Sequence, residues 1–259
     1  MILAQNTKNI DYVQCAEVLA RSVKRNMPDS KVSLITDEKV KSKTFDQIIE
    51  LPYGDLAPNS DWKLINDWQV YEASPYEYTI KLEADLFLPK SIDYWWEVLE
   101  QRDVVISTTI RNFKQEITEI RAYRRFIDDN NLPDCYNAIT YFKKSELAKE
   151  FFLIVKDVFD NWNQYVTSLK CNLDEPVTTD WAYAIASHIL GKEKTTLPNF
   201  DAMSMIHMKQ WINGLPTENW TDTLIYEILP DMLRINTVPQ QYPFHYQIKN
   251  FSDKLLVLK

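Results

Sequence analysis

The chain has 259 residues, 45% hydrophobic and 25% charged, with a net charge of −8 and a pI of about 5.0. That length supports a substantial core, and the acidic balance argues against non-specific nucleic-acid binding, which phosphate neutralisation drives. Only 3 glycines are present, and neither GxGxxG nor GxxxxGK[ST] occurs, so any bound phosphate must be held by side chains or a metal.

Residues 2–5 read as a short apolar strand ending in the loop Gln5-Asn6-Thr7. Asp11 to Arg25 places Val13, Ala16, Val18, Leu19 and Val23 at helical spacing, and Met27-Pro28 ends that helix. Lys31 to Thr36 and Phe45 to Leu51 read as strands, so the chain opens as strand–helix–strand, the signature of parallel pairing. Pro52 to Ser60 is turn-rich. Asp61 suits the cap of a helix from Trp62 to about Ala73, closed by Ser74-Pro75. A strand from Tyr78 to Phe87 follows, then a helix through Trp95, Trp96 and Leu99, then a strand at Val104–Ser107. The polar stretch from Thr109 to Asp134 reads as loop plus helix. Cys135 to Phe142 is a strand and Lys144 to Trp162 a long amphipathic helix. Asp180 is placed to cap a helix from Trp181 to Leu190. Thr196 to Phe200 and Met203 to His207 are short extended segments, and Trp211 to Asn219 is loop. Asp222 to Leu229 reads as helix, Val238 to Tyr246 as irregular, and Leu255 to Leu258 as a last strand or tail. The expectation is one α/β domain over 1–259, with a mixed, mostly parallel sheet flanked by helices.

No apolar run approaches the ~20 residues of a membrane span. The first residues lack a basic region followed by a long apolar one, and Cys15, Cys135 and Cys171 form no CxxC pair. A cytoplasmic protein with reduced thiols is expected.

The pattern with most chemical content is Tyr78-Thr-Ile-Lys-Leu-Glu-Ala-Asp-Leu-Phe-Leu-Pro89. Glu83 and Asp85 are one residue apart, so they share a face of an extended segment. Two adjacent carboxylates repel, and a divalent cation with a preference for oxygen ligands, Mg²⁺ or Mn²⁺, compensates them. The alternative is a strand end where both acids reach water.

The order of these features resembles that of nucleotide-sugar-dependent glycosyltransferases of the GT-A fold, in the branch that includes glycogenin and bacterial galactosyltransferases. The likeness rests on Leu19-Ala-Arg-Ser-Val-Lys24 followed by Val32-Ser-Leu-Ile-Thr-Asp37, and on Trp62-Lys-Leu-Ile65 feeding Glu83-Ala-Asp85. It rests also on Tyr136-Asn-Ala-Ile-Thr-Tyr-Phe142, and on the acids Asp174, Glu175 and Asp180 before a late histidine, His207. It covers roughly residues 1–212. It implies a GT-A-type, Rossmann-like domain with a nucleotide-binding half at 1–90, a sugar and acceptor half at 91–212 and a C-terminal extension at 213–259.

The resemblance implies Glu83, Asp85 and His207 as ligands of Mn²⁺ or Mg²⁺. Family members carry a lysine several residues after that histidine to grip the phosphates; here Lys209 follows at two residues, and the family's intervening glycine is missing. Glu83 stands where the family usually has Asp. Gln5, Asn6 and Asp37 would meet the base and ribose, Lys63 the diphosphate, and Asn137 the donor sugar. Asp180, or Asp174 or Glu175, would serve as base on the acceptor or as charge partner of the sugar. The donor would be a UDP- or GDP-sugar. For the acceptor a glycan stands beside a modified DNA base, since compact enzymes of this kind include phage-encoded ones; Arg111, Lys114, Arg121, Arg124 and Arg125 would then face phosphate. The late aromatics Trp211, Trp220, Tyr242, Phe244 and Tyr246 are either an acceptor platform or packing. His188 reads as structural, and the role of His245, in its aromatic loop, is left open. Two other readings stay open: a non-catalytic binding protein on the same fold, and nucleotidyl transfer, which would release pyrophosphate.

Overall fold

A computed structural model describes residues 1–60, 62–118, 124–171, 174–197, 203–229 and 232–256. A six-stranded sheet forms its centre. Four strands run parallel in the order β3 (Gln47–Ile49), β2 (Ser33–Ile35), β1 (Ile2–Leu3) and β4 (Tyr78–Glu83). Then β8 (Tyr136–Lys143) pairs antiparallel with β4 on one side and with β6 (Val104–Ser107) on the other. The fold is α/β with a mixed, mostly parallel sheet, as expected.

The period-two alternation of these strands feeds two cores. Ile2, Leu34, Ile80, Leu82, Val105 and Ile139 pack with Cys15, Leu19 and Val23 of the Tyr12–Asn26 helix. Met1, Ile35, Val104, Ile106 and Phe142 pack against the Glu146–Asp160 and Thr179–Leu190 helices through Phe151, Phe152, Val155 and Ala182. Side-chain caps start all three helices: Asp11 accepts from Gln14 N, Ser145 from Ala148 N and Thr178 from Trp181 N. Thr178, not Asp180, is therefore the cap of the last one, which frees the Asp180 carboxylate for other partners.

A second sheet lies beyond Asp85. Its order is β5 (Leu86–Phe87), β13 (Phe244–His245), β9 (Met205–His207) and β7 (Ile110–Arg111). A third cluster, with Phe87, Ile206, Trp220, Leu233, Phe244, Tyr246 and Phe251 buried together, joins it to the C-terminal region.

Most departures from the sequence expectation fall in that region. Asp222–Leu229 is not a helix: Tyr226–Leu229 (β10) forms a hairpin with Met232–Ile235 (β11), which Val238–Pro239 (β12) extends. The alternating exposure of both strands is that of a half-buried ribbon. The 238–246 stretch, expected irregular, supplies β12 and β13. A short helix, Gln210–Asn213, opens the expected loop; Phe251–Leu255 is a further short helix, and residues 257 and 258 of the expected last strand or tail lie outside the described residues. Leu64–Gln69 is a 3₁₀ helix that passes into an α turn at Val70–Ala73. Asp61, its expected cap, lies outside the described residues, as do Arg121 and most of the extended segment expected at 196–200. Among the described residues no helix is long and apolar enough to cross a membrane.

Candidate active site

Parallel strands deliver all their carboxyl ends to one edge of a sheet, where open α/β sheets bind ligands. Gln5 follows β1, Asp37 follows β2, and Glu83 ends β4, with Asp85 in the turn just after it. The Gln5 amide donates to Asp37 Oδ2 at 2.9 Å and accepts from Asn66 Nδ2 at 2.8 Å. Asn66 reaches Asp55 Oδ1 at 2.7 Å, and Lys63 pairs with the other oxygen of Asp55. Lys63, expected at the diphosphate, is here tied into the Pro52–Ser60 loop through Asp55 and the Ala57 carbonyl at 3.3 Å. Asn6 is spent on the chain, accepting from Val13 N at 3.0 Å.

Strand register decides which histidine meets the acids. β13 lies between β5 and β9, with His245 paired to Leu86 on one side and to His207 on the other. His245 therefore faces the acid turn, and His207 stands one strand behind it. His245 Nε2 lies 2.9 Å from Asp85 Oδ2 and 3.4 Å from Glu83 Oε2. His207 Nδ1 lies 3.0 Å from His245 Nδ1, and the Gln247 amide sits within 3.3 Å of both rings. The late histidine expected beside the acids is in this structure His245, with His207 as its neighbour. Glu83, Asp85 and His245 offer ligand atoms within 4.8 Å of one another.

The lysine differs as well. Lys249, four residues after His245, pairs with Asp85 Oδ2, and its ammonium lies 5.7 Å from the Tyr12 ring centre. Lys209 precedes the Gln210–Asn213 helix, where its carbonyl accepts from Asn213 Nδ2 at 2.8 Å. The spacing that the resemblance implies, a histidine followed several residues later by a lysine, also occurs at His245 and Lys249. Two prolines and three aromatics around it read as irregular loop and hid it.

Environment drives the two acids apart. Burial pushes the Glu83 carboxyl above its ordinary range, against the pull of His245, and the nearby Asp85 charge adds to the rise. Burial acts on Asp85 in the same direction, but His245 and Lys249 together hold its carboxyl well below the usual range. Burial would lower the Lys249 ammonium, yet Asp85 outweighs it and the net direction is up. Burial and the adjacent His245 push His207 well below an ordinary imidazole, so it stands neutral.

On the other flank Asn137 connects the acid pair to Asp180. Its side-chain amide donates to Glu83 Oε1 at 2.9 Å, and its backbone N–H donates to Asp180 Oδ1 at 2.9 Å. Arg124, only 3% exposed, donates to Asp180 Oδ2 at 2.8 Å, to Asp134 and to the Cys135 carbonyl. Asp174 and Glu175 instead lie exposed, where the Trp162 indole donates to the Glu175 carbonyl. The basic set expected to face phosphate is not one surface. Arg111 and Arg124 are buried, and Arg125 pairs with Asp129. Of the late aromatics, Trp220, Phe244 and Tyr246 are fully buried core, whereas Trp211 is 59% exposed.

No family model and no curated protein matches the chain. Solved structures do. The galactosyltransferase LgtC, in a complex with donor and acceptor sugar analogs, aligns over 99% of this chain and 94% of its own, at 14% identity and a TM-score of 0.54. An active-site mutant of LgtC aligns over the same shares at 12% identity and a TM-score of 0.54. The architecture of this chain, a mixed, mostly parallel α/β sheet flanked by helices, is that of the GT-A fold.

Proposed function

We propose that the chain is a metal-dependent glycosyltransferase that moves a sugar from a UDP- or GDP-sugar to an acceptor hydroxyl. The observation that carries this reading is the convergence of Glu83, Asp85 and His245 at the carboxyl edge of the parallel strands, beside Asn137 and Asp180. Two carboxylates and an imidazole suit Mn²⁺ or Mg²⁺, and these three residues would hold it. When bound, the cation supplies positive charge against the departing diphosphate.

The remaining work belongs to the chain's own groups. Lys249 brings an ammonium to the diphosphate side of Asp85. The carboxylate of Asp37, held by Gln5, suits the ribose hydroxyls or a base N–H. Asp180, oriented by the Asn137 N–H and by Arg124, takes precedence over Asp174 and Glu175 as the carboxylate on the sugar side. It serves as base if the reaction inverts the anomeric centre, or as charge partner if configuration is retained. The anomer of the product separates these two. The acceptor, a glycan or a modified DNA base, meets the site from that side.

The test is a panel of sugar nucleotides incubated with the protein and Mn²⁺, with nucleoside diphosphate release as readout. Release from one donor, lost on chelation, is expected. No release from any donor, with no shift of the melting temperature by UDP or GDP plus Mn²⁺, would sink the reading. A shift without release would leave a binding protein, and pyrophosphate release would indicate nucleotidyl transfer. The Lys249–Asp85 pair favours one variation, in which Lys249 alone holds the diphosphate. A melting shift by UDP or GDP that chelation leaves unchanged would select it.

A further inference from the structure

Lys81 lies beneath the site, on β4 two residues before Glu83. It is 1% exposed, an unusual place for a lysine. Its ammonium pairs with Asp67 Oδ1 at 2.7 Å, and Asp67 in turn accepts from the Tyr183 hydroxyl at 2.5 Å. It also donates to the Asn137 carbonyl at 3.2 Å and lies 5.7 Å from the Tyr183 ring centre.

That carbonyl lies in a break of the sheet. β8 pairs Thr140 with Ile106 and then Tyr136 with Ser107, so residues 137–139 bulge away from β6. On the β4 side the paired residues end at Leu82 and Ile139. A bulge removes ladder partners and re-aims side chains. Asn137 has no register partner on β4 or β6, and its carbonyl accepts from Lys81 and from the Thr140 hydroxyl at 3.3 Å. The Asn137 side-chain NH₂ and backbone N–H are the groups that reach Glu83 and Asp180.

We infer that Lys81 is a positioning residue: by clamping the Asn137 carbonyl it fixes the bulge that holds Glu83 and Asp180 in one arrangement. It touches neither donor nor metal and acts through Asn137. The buried Asp67 and Tyr183 hold the ammonium in place from the other side. A hydrophobic residue of similar length at position 81 would fill the volume but leave the carbonyl of the bulge half-satisfied.

The test uses the full chain and a double-mutant cycle. Lys81→Met is made together with Asp67→Asn, so that no buried charge is left unpaired. Mn²⁺ affinity, read by the electron paramagnetic resonance of free Mn²⁺, should weaken about tenfold in this pair and about tenfold in Asn137→Ala, the range for groups that orient metal ligands. The combined variant should be no weaker than the weaker parent, because both changes act on one element. Unchanged affinity in the Lys81 pair, or additive losses, would overturn the inference. The Mn²⁺ readout rests on the metal reading above, so a second readout does not. Hydrogen exchange of the Asn137 backbone N–H should accelerate about tenfold in the Lys81 pair, the equivalent of one lost hydrogen bond. The Tyr141 N–H, inside the ladder, should keep its rate. If the wild-type protein takes up no Mn²⁺, the metal reading fails by itself, and exchange at Asn137 decides: acceleration supports the clamp, and an unchanged rate overturns it.

Discussion

The two sheets contribute opposite halves of one site. The six-stranded sheet supplies the acids, Glu83 and Asp85 at the end of β4 and Asp180 against β8. The small sheet and the segment after it supply the bases, His245, Lys249 and, one strand further, His207. The large sheet is held by a core on each face and has strands of up to 8 residues. In the small sheet β5, β7 and β13 are 2 residues each, so its placement depends on tertiary contacts more than on its ladder. A site divided in this way keeps its opposite charges on separate sheets, and the contact that joins them is Asp85 with His245 and Lys249.

The largest effect should come from breaking that contact on the acid side. Asp85→Ala leaves His245 and Lys249 without their shared partner. Removing one member of a buried pair costs on the order of 3 kcal/mol. The melting temperature should fall, and Mn²⁺-dependent nucleotide binding should weaken by more than about 100-fold, since groups that merely orient ligands already cost up to that. Adding Lys249→Met should recover part of the melting temperature and none of the binding. Undiminished sugar-nucleotide turnover in Asp85→Ala would refute the site assignment.

Next in size is the histidine comparison. His245→Ala should weaken Mn²⁺ binding by roughly 10- to 100-fold, whereas His207→Ala, which loses an orienting neighbour, should cost about tenfold or less. Equal losses, or the reverse order, would return the ligand role to His207. Calorimetric Mn²⁺ titration of both variants measures it.

This contrast also marks what the sequence made legible. The acid pair was readable because a β-branched and apolar run, broken only by Lys81, leads up to Glu83, and the acid-x-acid spacing brings both carboxyls to the end of that strand without knowledge of any partner strand. Gln5 and Asp37 followed from the same logic, since strand–helix–strand order fixes where carboxyl ends lie. His245 carried no such local signal. Its position depends on β13 inserting between β5 and β9, a pairing that joins residues 86, 245 and 207. The hairpin at Tyr226–Ile235 was misread for a related reason. Its alternation is half apolar on an otherwise polar ribbon, and a helical period fits so short a window equally well. Asp180 was read as the cap of its helix, but Thr178 caps it, and Arg124 with Asn137 takes the Asp180 carboxylate.

A smaller and opposite effect belongs to Glu83. Its carboxyl is raised in the folded protein above the ordinary value of 4.5. The folded state therefore holds its proton more tightly than the unfolded chain does, and stability falls as pH rises from about that value through the folded pKa. Glu83→Gln keeps an acceptor for the Asn137 amide and removes the buried charge. Without metal it should melt at a higher temperature than wild type, with a gap that widens as pH rises above 4.5. With Mn²⁺ present the order should reverse. The site would then be one where stability is given up for binding. A gap that is flat or narrows with pH would mean that Glu83 carries no such cost. Asp85 has the contrary sign. Its lowered carboxyl adds stability above the unfolded value, and that stability is lost as the pH falls through the folded one.

The smallest expected effect compares two buried thiols on opposite faces of the large sheet, of which only Cys15 meets the C-terminal segment. Cys135 stands at the start of β8, and burial raises its pKa to about 12. Cys15 lies on the Tyr12–Asn26 helix with its thiol against the Lys249 carbonyl at 3.7 Å, and burial raises its pKa to about 11. Neither forms much thiolate at neutral pH, so alkylation requires opening of the surrounding structure. Release of the C-terminal segment alone uncovers Cys15, whereas Cys135 requires the large sheet to open. Under native conditions Cys15 should therefore label faster than Cys135, by a modest factor that mass spectrometry of the tryptic peptides reads. A bound UDP or GDP with Mn²⁺ should slow Cys15 and leave Cys135 unchanged, because the ligand ties Asp85 to His245 and Lys249 across the docking contact. Equal labelling rates that slow together would show instead that both sheets open as one cooperative unit. The bases of the site would then be held as firmly as its acids despite the shortness of their strands.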